Sequence, residues 1–469
     1  MPSKQHLHRA SSVVVTGLAP SGAGTAEIDG LPVLLPGALP GDVVDCLWEP
    51  PKPGGRQGLA REVRVLRPSP DRDASRCPLA GACGGCAAAG LAYEAELSLK
   101  CSLLLEVPLK KAGLLRAGLL ESPAAQPESA RRGFRNKAIL YPALERTPQG
   151  GLAGRFGYYR ARSHRVVPAE NCPQTPRWMH EAARDAASLL VRGPLSGTAQ
   201  APDRTLRALC LREAPGTGER LVTIVSRRPL EEAEREELRE MIEPLARRLN
   251  LAGVALNVNP NPGNAVLAFG PNAVETLFGH SEMRARIGGL EFEATPLTFL
   301  QVNSAQIERL YAEALKGLAL KREDRFLDLY CGVGTLTLLG ARCGCEAAGI
   351  ERVEASVERA RRNALLNGLE RVQFSAGPVE ALLEETAESM RPNKVMLDPA
   401  HRGVERSVLE ALARMPVERL VYVACGAAAF VRDASELVRL GFRIERVLPV
   451  DLFPGSLNIE TIGVFSRQR

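Results

Sequence analysis

Asp328-Leu329-Tyr330-Cys331-Gly332-Val333-Gly334-Thr335 is the stretch whose reading decides the architecture. Arg325–Tyr330 reads as a strand, and two glycines stand where the chain must turn into a helix over Thr335–Ala341. Glycines there let the backbone approach a ligand and aim amides at it. Working outward, Ala347–Glu351 is a second strand and Val353–Asn367 a second helix. Val372–Phe374, Lys394–Leu397 and Leu420–Val423 continue the strands. This alternation predicts an α/β, doubly wound, mainly parallel Rossmann-like sheet with ligands at the carboxyl ends of its strands. Phe442–Pro449 and Ile459–Phe465 are close enough to form a terminal antiparallel pair.

Glu351 ends the second strand, where a carboxylate can bind ribose hydroxyls. The third glycine of a dinucleotide fingerprint is missing, because Thr335-Leu336-Thr337 follows the loop. A nicotinamide or flavin site is therefore disfavoured, and the looser S-adenosylmethionine pocket suits the loop. Two further strand ends carry chemistry. Met396-Leu397-Asp398-Pro399 stops at a proline and turns Asp398 toward the cleft. Val421-Tyr422-Val423-Ala424-Cys425-Gly426 stops at a thiol, either a nucleophile or a small buried hydrophobe. Glu460 stands in an otherwise apolar terminal strand, as a base or as a surface residue on an edge. One thiol, one carboxylate and a sulfonium donor fit a definite reaction. Carbon 5 of uracil is a poor nucleophile until a thiolate adds at carbon 6, and a base must later remove the carbon 5 proton. The base would be flipped out of its stack.

At the other end, Val13–Thr16, Gly24–Ile28, Leu31–Leu35, Val43–Trp48 and Leu59–Leu66 are β-rich. They are separated by Asp29-Gly30, Pro36-Gly37, Pro40-Gly41 and Pro53-Gly54-Gly55. Five short strands suggest a small oligonucleotide-binding (OB-like) β-barrel. Pro68–Asp73 reads as a linker, Tyr93–Ala117 as helical but broken near Pro108, and Glu231–Leu249 as a long polar helix. Three of the eleven cysteines fall within Cys77–Cys86, which in a reducing compartment points to metal or cluster ligation rather than disulfides. The net charge of +6 is unevenly spread. Nine Arg or Lys (131, 132, 135, 137, 146, 155, 160, 162, 165) and the single acid Glu145 lie between 131 and 165. A phosphate backbone is the natural partner of such a stretch, and a solvated basic loop is the alternative. Aromatics make up 4% of the chain, so base stacking would rest on few residues, with Phe156, Tyr158 and Tyr159 the candidates. No run is long and apolar enough for a membrane span, and the start Met1–Arg9 is too polar for a secretory signal. A cytoplasmic location follows as the expectation.

These residues resemble the RNA uridine-5 methyltransferases that carry a TRAM domain and an iron–sulfur cluster, in particular the bacterial enzymes of 23S ribosomal RNA. Leu35-Pro36-Gly37-Ala38-Leu39-Pro40-Gly41-Asp42 looks like the TRAM signature. Cys77-x5-Cys83-x2-Cys86 looks like the cluster motif, with Cys172 where the fourth ligand is expected. Phe134-Arg135-Asn136-Lys137 and Tyr159–His164 resemble segments of the central domain, and Gln301-Val302-Asn303 the opening of the catalytic domain. The resemblance implies three domains. A TRAM barrel would span 1–70 and a central α+β domain 71–90 and 126–296. A methyltransferase domain would span 91–125 and 297–469. It implies that Gln301, Tyr330, Thr335, Glu351 and Asp398 contact S-adenosylmethionine, that Cys425 is the nucleophile and Glu460 the base. It also implies that Cys77, Cys83, Cys86 and Cys172 hold a [4Fe-4S] cluster, with zinc the lesser alternative. RNA is the implied partner, and no protein partner is required.

The chain departs from that pattern in four places. Gly426-Ala427 replaces Asn-Pro after the nucleophile, and His401 intervenes before Arg402 after Asp398-Pro399. Gly455 and Asn458 replace two histidines near the base, and Ala87-Ala88-Ala89 replaces glutamines after the cysteines. Three competing readings follow: the same chemistry on transfer RNA, a 5-methylcytidine enzyme, and a non-catalytic RNA-binding relative.

Overall fold

Asp29 and Gly30 both take positive φ (52° and 73°), which gives the mirror-image turn that a two-residue hairpin requires. They join β3 (Gly24–Ile28) to β4 (Leu31–Leu35), paired Ile28 to Leu31. With β1 (His8–Val14), β2 (Gly17–Leu18), β5 (Val43–Glu49) and β6 (Gly58–Arg67) they form one sheet in the order β1-β5-β6-β4-β3-β2. Alternate residues of these strands, among them Val33, Leu35, Val44, Cys46 and Trp48, turn inward to one core.

The structure, a computed structural model, describes residues 7–467 except 20, 53, 162, 198–200, 202, 203 and 271. Arg162 of the basic stretch, Pro53 of the last turn and Met1–His6 lie outside the described residues. Two compact units emerge. The first comprises Met1–Leu99, Gly157–Pro173 and Phe453–Leu457, and the second Lys100–Phe156, Gln174–Leu452 and Asn458–Arg469.

Within the first unit the stretch 68–73 is strapped down rather than loose. Asp42, fully buried, accepts from the amides of Leu39 (2.7 Å) and Ser69 (2.8 Å) and from Nε of Arg72 (2.7 Å). Burial alone would raise the Asp42 carboxyl, but the Arg72 guanidinium and those two amides outweigh it and hold it below the usual range. Helix α1 (Tyr93–Cys101) carries Glu96, which is fully buried and bridges Arg76 (2.6 Å) and the amide of Gly455 (2.6 Å).

In the second unit, Ser102–Glu106 coils as a π-helix and runs into α2 (Val107–Lys111). The break expected near Pro108 is absent. The helix runs on through Pro108, and the π-helical turn stands immediately ahead of it, where the ring and missing N–H of the proline disturb the ordinary ladder. A mixed sheet runs from β13 (Val274–Gly279) through β12 (Gly253–Val258), β11 (Arg220–Ser226), β10 (Leu206–Glu213) and β7 (Lys137–Arg146) to β8 (Leu152–Tyr159). The end of β8, Gly157–Tyr159, pairs with β9 (Val166–Pro168) inside the first unit. Helices α3 (Arg177–Ala186), α4 (Ser188–Val191) and α5 (Glu232–Arg248) accompany this sheet, and α5 opens with a Glu231–Glu234 capping box. A hairpin of β14 (Met283–Ile287) and β15 (Leu290–Ala294) leads to the last sheet.

That sheet has the order β18-β17-β16-β19-β20-β22-β21. Its strands are β16 (Arg325–Leu329), β17 (Glu346–Glu351), β18 (Val372–Ala376), β19 (Lys394–Leu397), β20 (Arg419–Ala424), β21 (Phe442–Val450) and β22 (Glu460–Arg467). The first five are parallel, and β22 runs antiparallel between β20 and β21. Val395–Leu397 and Leu420–Val423 are wholly buried, as strands covered on both faces must be. The cover comes from α6 (Ser304–Leu318), α7 (Thr335–Ala341), α8 (Glu354–Leu366), α9 (Val379–Met390), α10 (Arg406–Arg414) and α11 (Ala427–Arg439). Asn303 caps α6 through the amide of Ala305. A Cβ at Gly317 would lie 2.9 Å from both Val421 and Val464, so glycine lets α6 settle onto β20 and β22. Leu119–Ala124 lies along β21, bonded from the amides of Glu121 to Val447 (2.9 Å) and Ala124 to Pro449 (2.8 Å). Among the described residues no helix is long and apolar enough to cross a membrane.

Candidate active site

Every parallel strand of the last sheet ends on the same edge, so Tyr330, Glu351 and Asp398 meet there by topology alone. Tyr330 leaves β16 at φ 68°, a left-handed conformation costly for a bulky residue and one that clusters at functional loops. Gly332 (φ 57°) and Gly334 (φ 82°) complete the turn. A Cβ on Gly334 would press within 2.9 Å of Phe374 and 3.1 Å of Ala360. The Glu351 carboxylate is fixed by the amides of Gly332 (3.2 Å) and Val353 (2.8 Å), which leaves lone pairs for a ligand's hydroxyls. Thr335 (7% exposed) opens α7, and Gln301 is buried just ahead of α6. Thr337 donates to Asp328 at 2.5 Å, while the other Asp328 oxygen has no partner among the described residues.

The reactive group is built by the antiparallel pair. Arg419 faces Ser466 and Ala424 faces Thr461, and Cys425 and Glu460 are the next residues along from that last pair. Glu460 is 2% exposed, which removes the surface-glutamate alternative, and one of its oxygens has no partner among the described residues. Its carboxyl is pushed up to about 8, by burial first and then by Asp398. Burial likewise lifts Asp398 to about 7. Asp328 rises to about 8 through burial, with Asp398 and Glu351 adding to it against the Thr337 bond. Burial, then Glu460, then Asp398 push the half-buried Cys425 thiol up to about 11. Glu460 and Asp398 both act on the Cys425 thiol and Asp398 acts on Glu460, so the three side chains lie within electrostatic reach of one another.

Two residues escaped the sequence reading. Tyr311 belongs to the buried stripe of α6, and burial, Asp398, Glu460 and Asp328 raise its phenol well above the ordinary value. Its signal was a polar tip in an apolar helical face (Ile307, Leu310, Ala314, Leu318). Phe299 is 67% exposed and lies two residues before Gln301. Conversely Phe156, an expected stacking residue, is 1% exposed and belongs to the core. Lys137 of the basic stretch is held below its usual value, by burial first and also by Arg212, its cross-strand partner. Arg155 is paired with Glu145 at 3.6 Å.

Cys77, Cys83, Cys86 and Cys172 all fall in the first unit, each half-buried. Burial first, and then Cys172, raise the Cys77 thiol, against the amides of Leu79 and Ala80 and the charge of Arg76, which lower it. The amide of Gly85 points at the Cys83 sulfur (3.4 Å), and that of Gly84 binds the carbonyl of Tyr159 (3.0 Å). A Cβ at Gly84 would strike the backbone of Ala161. Amides directed at sulfur are one feature that a thiolate-held anionic cluster needs. Among the described residues no group of three or more His, Cys, Asp or Glu is gathered closely enough to hold a metal ion, so the ligand set remains what the resemblance implies.

Residues 320–416 match a methyltransferase domain family. The whole chain is similar to an uncharacterized RNA methyltransferase of Halalkalibacterium halodurans, with 31% identity over 96% of each protein. It is also similar to one of Gloeobacter violaceus, with 33% identity over 97% of this chain and 96% of that protein. Among solved structures it is similar to the Pyrococcus abyssi tRNA (uracil-54, C5)-methyltransferase in complex with S-adenosyl-L-homocysteine. That likeness has a TM-score of 0.72 and 22% identity, covers 98% of this chain and all of that one, and shows a shared methyltransferase fold.

Proposed function

We propose, from the premise that this chain belongs to the RNA methyltransferase family, that it methylates carbon 5 of a uridine in 23S ribosomal RNA, using S-adenosylmethionine. The observation that carries the reading is that Cys425 follows the last residue of β20, Glu460 opens the neighbouring β22, and both Glu460 and Asp398 act electrostatically on the Cys425 thiol.

In this reading Cys425, once it has given up its proton, adds as thiolate to carbon 6 while the carbon 5–carbon 6 double bond opens, which leaves carbon 5 electron-rich. Carbon 5 takes the methyl group, the sulfonium–methyl bond breaks, and S-adenosylhomocysteine remains. Glu460 removes the carbon 5 proton, the carbon 6–sulfur bond breaks, and thiolate is restored. The net products are 5-methyluridine, S-adenosylhomocysteine and one proton. Glu351 holds the ribose hydroxyls, and Gln301, Tyr330, Thr335 and Asp398 line the rest of the donor's site. Phe299, exposed beside Gln301, offers a face for a base. The first six strands bind RNA as a TRAM-type barrel. Cys77, Cys83, Cys86 and Cys172 hold a [4Fe-4S] cluster, or zinc in the alternative, which serves as a structural staple.

The test is to incubate the protein with labelled S-adenosylmethionine and ribosomal RNA lacking 5-methyluridine, then identify the methylated nucleoside. Product that disappears in Cys425→Ala supports the reading. Product on transfer RNA alone moves the target to the substrate class of the Pyrococcus abyssi protein. 5-Methylcytidine moves the chemistry, and donor binding without product on any RNA leaves a non-catalytic relative.

A further inference from the structure

His401 and Gly426 are two of the places where the chain departs from its family resemblance, and the fold brings them into contact. An ideal Cβ on Gly426 would stand 2.5 Å from the His401 carbonyl oxygen and 2.9 Å from Nδ1 of its ring. Gly426 has φ −111°, which any residue adopts, so glycine is required there by space and not by conformation. The loop that carries His401 is held firmly. Arg432 donates to the carbonyl of Arg402 (2.9 Å), and Asp433 accepts from the amide of Val404 (2.9 Å) and the hydroxyl of Tyr422 (2.8 Å). The imidazole is exposed, yet its edge lies over the residue that follows Cys425.

We propose that His401 is a substrate-positioning residue that hydrogen-bonds the nucleotide whose base enters beside Cys425. The proposal rests on the uridine reading above. The argument is one of donors and acceptors. A pyrimidine presents two carbonyl oxygens, and these need donors. An imidazole N–H over the residue that follows Cys425 supplies one.

The experiment measures kcat and the KM for RNA separately in wild type, His401→Ala and His401→Gln. Loss of one good hydrogen bond predicts a KM for RNA about tenfold higher in His401→Ala, with kcat and the KM for the methyl donor within about twofold of wild type. His401→Gln, which keeps an N–H donor, recovers most of that loss. Unchanged KM in His401→Ala overturns the proposal. So does an equal fall of kcat and melting temperature in both variants, which marks a merely structural residue. A wild-type protein that makes no 5-methyluridine instead overturns the uridine reading, and the variants then fail with it. Wild-type turnover with an indifferent His401→Ala sinks this inference alone.

Discussion

Replacing Glu460 by Gln separates the chemical role of this carboxyl from its structural cost. The group is 2% exposed and its carboxyl is pushed up to about 8, against 4.5 for an ordinary glutamate. A folded-state value above the unfolded one means that the stabilising contribution is complete below about pH 4.5. It is lost as pH rises through about 8. At about 1.4 kcal/mol per unit, the shift bounds that loss near 5 kcal/mol. Asp398 shares part of the repulsion, and a Gln amide in the same place leaves a buried donor short of a partner. The net gain of Glu460→Gln at about pH 9 is then about 2–4 kcal/mol, whereas at about pH 5 the same amide penalty leaves the variant about 0–2 kcal/mol less stable than wild type. Urea denaturation of both proteins at the two pH values reads it directly. In the same variant the carbon 5 proton has no acceptor, so turnover falls by about 10²–10⁴ and a covalent RNA–protein band accumulates on a denaturing gel. Two stability curves that move in parallel with pH, together with wild-type turnover, would refute both the burial argument and the assignment of the base.

Gly334→Ala forces a Cβ into a φ of 82° and within 2.9 Å of Phe374. We expect a stability loss of about 2–4 kcal/mol and weakened donor binding, read by thermal denaturation and calorimetry. Phe299→Ala removes an exposed aromatic face and should weaken RNA binding by about five- to a hundredfold while leaving donor affinity unchanged, as a filter-binding titration would show. Cys83→Ser should lower the iron content and visible absorbance of anaerobically purified protein, whereas the cysteine chemistry at residue 425, measured by adduct formation, persists. Wild type with zinc and no iron would favour the alternative metal.

The sheet was legible because strand alternation and glycine turns are local signals. Asp29-Gly30 specified its hairpin to the residue, and Leu420–Val423 announced a doubly covered strand by being uniformly apolar. The candidate thiol and Asp398 stood out because each follows the end of a strand, where the chain must turn, and Glu460 because it is a carboxylate in an otherwise apolar strand. What could not be read is what depends on a partner distant in sequence. Pro68–Asp73 carries linker composition, but Asp42, about thirty residues earlier, captures it. Phe156 is as aromatic as Phe299, and only the sheet decides that one is core and the other exposed. Tyr311 is spaced like any core residue of α6, and its three acidic neighbours arrive from β16, β19 and β22.

Those acidic neighbours carry an argument about the ligand. Asp328, Asp398 and Glu460 sit at about 8, 7 and 8, so near neutral pH the ligand-free site retains protons that ordinary carboxyls would have lost. A cation placed among them favours their ionised forms, and its binding therefore releases protons. The sulfonium of S-adenosylmethionine is such a cation, and the thioether of S-adenosylhomocysteine is neutral. Donor affinity should rise as pH increases through about 7 to 8, by up to about tenfold per unit for each proton released, and level off above that range. Product affinity should stay nearly flat. Calorimetry in two buffers of different ionisation enthalpy measures the released protons directly. Equal pH dependence for the two ligands would mean that the sulfonium does not sit among these carboxyls, and the placement of the methyl donor against Cys425 and Glu460 would have to be redrawn.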